Sequence, residues 1–92
     1  MTYSEMIKQA RKESGLTLEY VAEKLNTSAS YLHDIENGKT KTPKMTLLTA
    51  LAGFYYIDRD KLLVAAERVP DDVFYKIIRN PQLIQLVRDA QV

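Results

Sequence analysis

Apolar residues recur along most of this chain at the three- and four-residue spacing that is typical of amphipathic helices. The segments with this spacing cover approximately residues 4–14, 17–25, 29–37, 45–55, 59–67, 70–79 and 81–90. No stretch alternates apolar and polar residues for long enough to predict a strand. The pattern therefore predicts an all-α protein.

The residues at the ends of these segments support the same assignment. Four segments begin at a side chain that can accept a hydrogen bond from a free helical N–H group, namely Ser4, Thr17, Ser28 and Asp58. Gly15 and Gly38 follow the first and third segments, where a left-handed conformation is common. Asn80 and Pro81 predict the cap and the first residue of the last helix. Gly53 lies inside the fourth segment, where glycine costs about 1 kcal/mol relative to alanine, and we expect close backbone packing there.

The composition fits one small globular domain, since 46% of the 92 residues are hydrophobic and 27% are charged. The chain has no cysteine, which excludes disulfides and thiolate metal sites. We see neither a signal-peptide pattern nor an apolar run of about 18 residues, the length that a membrane span needs. A cytoplasmic protein is therefore expected.

The formal net charge of +1 is low for a nucleic-acid-binding protein. The one local excess of positive charge is a lysine cluster, Lys39, Lys41 and Lys44, which contains no acidic residue. It directly follows the third predicted helix. The lysine cluster is either an ordinary solvated loop or a set of contacts to phosphate groups.

The second and third segments are short helices separated by a sharp break, which is the arrangement of a helix-turn-helix. Ala22 lies where the two helices would approach, and its small side chain permits close contact. The residues that would hold the pair on the first helix are Val21, Leu25, Leu32 and Ile35. The outer face of the third helix is then Ala29, Ser30, His33, Asp34 and Asn37. Small and polar side chains on a protruding helix fit the major groove of DNA, which is about 12 Å wide.

Three tracts, residues 7–17, 21–25 and 30–39, resemble the phage-repressor-like, Xre-type helix-turn-helix family. The most specific one reads Tyr31-Leu32-x-x-Ile35-Glu36-Asn37-Gly38-Lys39. The resemblance covers approximately residues 5–66. It implies an all-α, five-helix lambda-repressor-like DNA-binding domain with one or two additional C-terminal helices. It also implies a transcriptional regulator, usually a repressor, that binds a pseudo-palindromic operator in double-stranded DNA as a homodimer.

The resemblance implies roles for particular residues as well. Arg11 and Glu36 match an internal ion pair that would hold the third helix against the first; the alternative is two solvated side chains. If the pair is buried, loss of one partner would cost roughly 3–5 kcal/mol. The positions that match DNA-contacting residues are Thr17, Ser28, Ala29, Ser30, Tyr31, His33, Asn37, Lys39 and Lys41. Tyr31 could equally pack against the start of the second helix.

Three positions depart from the usual pattern of the family. Leu18 stands where a glutamine often contacts a phosphate, and Asn26 replaces the glycine of the turn. Ala29 replaces a long polar residue that reads a base; its methyl group can touch a thymine methyl but cannot hydrogen-bond. Direct readout of bases therefore rests on few side chains, which are Ser30, His33 and Asn37. The lysine cluster would add sequence-independent phosphate contacts.

Residues 1–68 form the predicted DNA-binding domain, and residues 69–92 form a C-terminal helical extension. The extension has too many apolar residues for a solvated tail: Val73, Phe74, Ile77, Ile78, Leu83, Ile84, Leu86 and Val87. It is therefore predicted either to pack onto the first and fifth helices or to form a dimer interface.

Other classes of function have less support. The same fold can serve as a protein-interaction module, and the near-neutral charge together with Leu18, Ala29 and Asp34 is compatible with a regulator that binds another protein instead of DNA. His33 is the only histidine and has no partner at metal-ligand spacing. No nucleophile with a base in a known pattern and no glycine-rich phosphate loop is evident. We predict no enzyme, no cofactor and no small-molecule ligand.

Overall fold

A computed structural model describes residues 1–91 as seven α-helices, and no strand occurs in that range. The helices are α1 (Tyr3–Ser14), α2 (Leu18–Lys24), α3 (Ala29–Glu36), α4 (Met45–Tyr55), α5 (Arg59–Ala65), α6 (Asp71–Arg79) and α7 (Gln82–Asp89). The predicted all-α fold is confirmed. Within the described residues, no helix has both the length and the apolar character to cross a membrane.

Capping side chains set where the helices begin. Three helices start as predicted, with hydroxyl or carboxylate caps at 3.1 Å from a backbone nitrogen, at Thr17, Ser28 and Asp58. The prediction that Ser4 caps α1 is wrong, because Ser4 is buried in the first turn. Thr2 caps α1 instead, since its hydroxyl accepts from the N–H of Glu5 at 3.1 Å and the Glu5 carboxylate accepts from the N–H of Thr2 at 3.0 Å. These hydrogen bonds lower the pKa of Glu5.

Two further local predictions about helix ends and packing are wrong. The side-chain amide of Asn80 donates to the carbonyl of Lys76 at 2.9 Å, so Asn80 ends α6 instead of capping α7. Pro81 precedes α7 as its cap residue, and the helix begins at Gln82. Gly53 is exposed on α4, and apart from its chain neighbours and the backbone of its own helix no atom lies within 4 Å of the position that a Cβ would take. Close backbone packing therefore does not explain this glycine.

The first five helices, α1 to α5, form the hydrophobic core. α1 packs on α3, α4 and α5, while α2 packs on α3 and α4 packs on α5. The buried apolar residues are Ile7, Val21, Ala22, Leu32, Ile35, Leu48, Leu51, Ala52, Tyr55, Leu62, Leu63 and Ala66. Because α1 contacts both α3 and the α4–α5 pair, it connects the helix-turn-helix to the remainder of the domain.

α6 and α7 form a hairpin that stands apart from this core. In the described part of the chain, no Cα atom of α6 or α7 lies within 8 Å of one in α1–α5. Pro70 is buried just before α6, and Nη2 of Arg59 lies 3.5 Å from Oδ1 of Asp72, so the hairpin is attached at its base. The protein is consequently elongated, at 46 × 24 × 23 Å. The predicted extension also includes Val92, which lies outside the described residues.

Candidate nucleic-acid interface

A tight turn joins α2 to α3. Asn26 adopts a left-handed conformation there, with φ 53°, at the position where the family pattern has glycine. Asparagine tolerates this region better than most residues because its short polar side chain can hydrogen-bond locally. The N–H of Thr27 donates to the carbonyl of Ala22 at 2.9 Å, and Ala22 is buried. The small side chain of Ala22 is thus part of the buried core, and its carbonyl fixes the start of the turn.

Burial on the inner side fixes the orientation of α3. Val21 of α2 and Leu32 and Ile35 of α3 are each no more than 2% exposed. Each such side chain stabilises the packed state by roughly 1.5–3 kcal/mol through removal from water. Rotation of α3 about its axis would expose these residues, so the outward direction of its other side chains is determined by the core.

An ion pair holds the end of α3 against α1. Nε of Arg11 donates to Oε2 of Glu36 at 2.7 Å, and Nη2 donates to Oε1 at 3.0 Å. Nη1 of Arg11 donates to the carbonyl of Leu16 at 2.9 Å, which adds the α1–α2 turn to the same network. The Glu36 side chain is only 3% exposed and that of Arg11 is 16% exposed. Hydrogen bonding to Glu36 raises the pKa of Arg11.

Tyr55 of α4 borders this ion pair. Its burial, together with the negative charge of Glu36, raises the pKa of Tyr55 to about 12. Both effects oppose a second negative charge at this place, whereas the positive charge of Arg11 acts in the other direction. The ion pair therefore lies in a poorly hydrated environment between α1, α3 and α4.

The outer face of α3 presents small polar groups. Ser30 and His33 are exposed, and Ser28 is exposed immediately before the helix. The Ser28 hydroxyl accepts from the N–H of Tyr31, which leaves its own hydrogen free to be donated. Ala29 and Tyr31 are half-buried against the core. The predicted residues of this group thus divide into three exposed polar side chains and two that also pack inward.

Two further polar side chains flank this face. Thr17 is exposed at the start of α2, and its hydroxyl accepts from the N–H of Tyr20 at 3.1 Å. Oδ1 of Asp34 lies 3.6 Å from Nδ1 of His33. At this separation the two groups are beyond hydrogen-bond distance, so the imidazole nitrogens of His33 are not held by Asp34.

Asn37 ends α3 with both of its polar side-chain atoms engaged. Its Nδ2 donates to the carbonyl of His33 at 2.7 Å, and its Oδ1 accepts from Nζ of Lys8 at 3.4 Å. A contact between Asn37 and a base would have to replace these bonds. Sequence reasoning overlooked Lys8, although it lies three residues before Arg11 and hence on the same face of α1.

The lysine cluster continues from the end of α3. The N–H of Lys39 donates to the carbonyl of Asp34 at 2.9 Å, which fixes the start of the loop. Lys39, Lys41 and Lys44 are all exposed, while Pro43 is buried and anchors the loop to the core. The lysine cluster is therefore exposed on a segment that directly follows α3 and is anchored by Pro43.

The combined surface offers hydroxyl, imidazole and ammonium donors, which suit phosphate oxygens and base edges. Among the described residues, no three histidine, cysteine, aspartate or glutamate side chains are grouped as a metal site would require. The inner face of the helix pair is buried, and the Arg11–Glu36 ion pair holds α3 against α1. Together with the polar outer face of α3 and the lysine cluster that follows it, this arrangement defines a helix-turn-helix module of the DNA-binding type.

The family described as helix-turn-helix matches residues 7–62, which is more than half of the chain. The chain belongs to this family of phage-repressor-like, Xre-type DNA-binding regulators, and the resemblance predicted from its sequence is confirmed.

Among curated proteins, the chain is similar to the immunity repressor protein of Bacillus phage phi105. The two are 47% identical over 53 residues, a match that covers 58% of this chain and 36% of that protein. The match thus spans about a third of the length of this relative. No solved structure matches the chain at a significant level.

Proposed function

We propose that the chain is a sequence-specific repressor that binds a pseudo-palindromic operator in double-stranded DNA as a homodimer. In this proposal α3 enters the major groove and α2 lies across the phosphate backbone. The observation that carries it is the burial of the inner face of α3 together with the exposure of Ser28, Ser30 and His33 on its outer side. The similarity to a phage immunity repressor favours repression.

Each side chain of the interface has a proposed role that follows from its chemistry. Ser30 and His33 read base edges, and Ala29 contacts a thymine methyl group. The hydroxyl groups at Thr17 and Ser28 donate to phosphate oxygens. Tyr31, which is half-buried, reaches a phosphate through its phenol hydroxyl.

The remaining proposed contacts lie beyond the exposed part of α3. Lys39 and Lys41 neutralise phosphate groups and release counterions. Asn37 acts mainly by holding the end of α3, because its amide already bonds to His33 and Lys8. Few side chains are then left to read bases, so two half-sites bound together would add the selectivity that one half-site lacks.

Selection of bound sequences from random double-stranded DNA by the full chain tests the proposal. We expect two related half-sites in inverted orientation, with centres about one helical turn of DNA, roughly 34–36 Å, or a multiple of it apart. A pool without enrichment would contradict sequence-specific binding. Enrichment of one unrepeated half-site would contradict binding as a homodimer.

Retention on immobilised random DNA separates the proposal from the protein-interaction alternative. A DNA-binding chain is held at low salt and released as salt rises, because its lysines displace counterions. A module that binds only another protein flows through at every salt concentration. The near-neutral net charge of +1 makes this comparison informative, since general basicity cannot account for retention.

A further inference from the structure

Lys8 on α1 brings a positive charge to the end of α3. Its Nζ donates to Oδ1 of Asn37 at 3.4 Å, across 29 positions of the chain. The amide of Asn37 is fixed from the other side, because its Nδ2 donates to the carbonyl of His33 at 2.7 Å. Asn37 thus joins α1 to α3 and restrains the Lys8 ammonium beside the last turn of α3.

No carboxylate pairs with Lys8 in the part of the chain that the structure describes. The two acidic residues that line the same groove, Glu5 and Glu36, are engaged elsewhere. Glu5 accepts from the backbone at the start of α1, and Glu36 binds Arg11. An ammonium group has three donors, of which Asn37 occupies one. The charge and two donors of Lys8 are therefore available to an anionic ligand.

The bond between Lys8 and Asn37 is also easily exchanged. At 3.4 Å it is longer than the usual N–H···O range of about 2.7–3.2 Å. A bond from an ammonium to a phosphate oxygen has a charge on both partners and is typically shorter, at about 2.7–2.9 Å. A phosphate that comes within reach would therefore attract the ammonium more strongly than the amide oxygen does.

The end of α3 is the part of this helix nearest to phosphates if α3 enters DNA as proposed. A recognition helix contacts base edges with its N-terminal residues, so its C-terminal end lies towards the backbone at the edge of the groove. With eight residues, α3 is about 12 Å long, which is close to the major-groove width of about 12 Å. An ammonium beside its last turn consequently lies at the edge of the groove.

From these observations we propose that Lys8 is a further phosphate-binding residue of the DNA interface and that Asn37 is its positioning residue. The inference rests on the proposed function, because it requires α3 to enter the major groove. The hydroxyl groups at Thr17 and Ser28 would then bind the backbone near the start of α3, and Lys8 would bind it near the end. Contacts at both ends fix the tilt of α3 in the groove.

A purely structural role of Lys8 has a different signature. A cation near the C-terminal end of a helix offsets the partial negative charge of the last carbonyl groups, and the bond to Asn37 would stabilise the end of α3. Such a role changes the free energy of unfolding but not the number of counterions that DNA binding releases. The dependence of affinity on salt therefore distinguishes the two roles.

Fluorescence anisotropy titrations of the full chain at several salt concentrations test the phosphate contact. In Lys8→Gln the slope of log affinity against log salt should fall by about 1, with the same fold-loss for operator and random DNA. Lys8→Arg keeps the charge and should keep the slope. Lys61→Gln is the matched control, because it removes the same charge from α5, which contacts neither α2 nor α3 in the described range. The control should keep the wild-type slope.

A double-mutant cycle tests the positioning by Asn37. Lys8→Gln should weaken DNA binding several-fold in the wild-type chain and by a smaller factor in the Asn37→Ala chain, where the ammonium is no longer restrained. Equal factors in the two backgrounds would show that Asn37 does not position Lys8. Urea denaturation of every variant confirms that the titrations compare folded chains.

The same titrations distinguish a failure of this inference from a failure of the proposed function. If the wild-type chain binds DNA and Lys8→Gln keeps its salt slope, the phosphate contact of Lys8 is refuted and the proposed function stands. If the wild-type chain binds neither the selected operator nor random DNA, the proposed function is refuted and the role of Lys8 with it.

Discussion

Arg11 on α1 and Glu36, the last residue of α3, form a two-point ion pair with N–O distances of 2.7 and 3.0 Å. Since Arg11 also donates to the carbonyl of Leu16, one side chain joins α1, the turn before α2, and α3. A guanidinium suits this task because its planar donors match a carboxylate in a single geometry. The pair thereby positions the helix that we propose to enter DNA.

Removal of Arg11 should strongly destabilise the domain. In Arg11→Met the Glu36 carboxylate, only 3% exposed, would remain buried without its cation. We expect the free energy of unfolding to fall by about 3–5 kcal/mol, measured by urea denaturation. Lys12→Met is the matched control, because Lys12 is the next residue and is exposed; it should cost less than ~0.5 kcal/mol. Similar losses in both variants would contradict a structural ion pair.

Tyr55 should make the stability fall at alkaline pH. Its folded-state pKa, raised to about 12, lies above the ordinary value of 10.0 that applies in the unfolded chain. The unfolded state therefore loses the phenol proton first, so the contribution of Tyr55 is complete below pH ~10 and is lost as pH rises towards the folded-state value. Denaturation between pH 9 and 12 measures this decline.

The neighbouring tyrosine supplies the control for that experiment. Tyr55→Phe should flatten the decline in stability, because the group that ionises is gone. Tyr56→Phe should leave the decline in place, since the Tyr56 side chain is 96% exposed. If both variants show the same pH dependence as the wild type, other groups cause the alkaline loss.

Gly53 offers a stabilising substitution. It lies within α4, and an added Cβ would meet no atom within 4 Å apart from its chain neighbours and the backbone of its own helix. Gly53→Ala should therefore raise the free energy of unfolding by about 0.5–1 kcal/mol, since alanine loses less backbone entropy in a helix. Gly38→Ala should have the opposite sign, because Gly38 has φ 67° and alanine is strained there by about 1–2 kcal/mol. Thermal unfolding of both variants checks this contrast.

Sequence reasoning succeeded where a structure depends on neighbours in the chain. The caps Thr17 and Ser28 each bond to a nitrogen three residues away, so a short motif is enough to locate them. At α1 the sequence predicted Ser4 as the cap, whereas the reciprocal bonds between Thr2 and Glu5 make Thr2 the cap. A rule that considers only the capping hydroxyl does not identify this cap. The cap is found when the Glu5 carboxylate, which bonds back to the N–H of Thr2, is considered as well.

Features that depend on residues far apart in the sequence were harder to predict. The bond between Lys8 and Asn37 spans 29 positions, and the raised pKa of Tyr55 depends on the packing of α4 beside Glu36. The amphipathic pattern of residues 71–89 indicates that its apolar face needs a partner. That pattern cannot distinguish the core from a second copy, because both would satisfy the same periodicity.

Lys39 should contribute to DNA affinity without contributing to sequence preference. Lys39→Glu should weaken binding to operator and random DNA alike and should reduce the slope of log affinity against log salt by about 1–2. Lys61→Glu makes the same charge change on α5, which contacts α1 and α4 but neither α2 nor α3 in the described part of the chain. Fluorescence anisotropy titrations at several salt concentrations compare the two. An equal loss in both variants would point to net charge instead of a local phosphate contact.

Ser30 and Asn37 should behave differently although both lie on α3 or at its end. Ser30 is exposed, so Ser30→Ala removes a group free to meet a base and should change the ratio of operator to random binding by about fivefold, the equivalent of ~1 kcal/mol. Asn37→Ala removes bonds to His33 and Lys8 instead and should lower the free energy of unfolding by about 1 kcal/mol. Its effect on the two kinds of DNA should be similar. Anisotropy titrations with both DNAs, combined with urea denaturation, separate these outcomes. A change of sequence preference in Asn37→Ala without a loss of stability would show that Asn37 leaves the end of α3 to read a base.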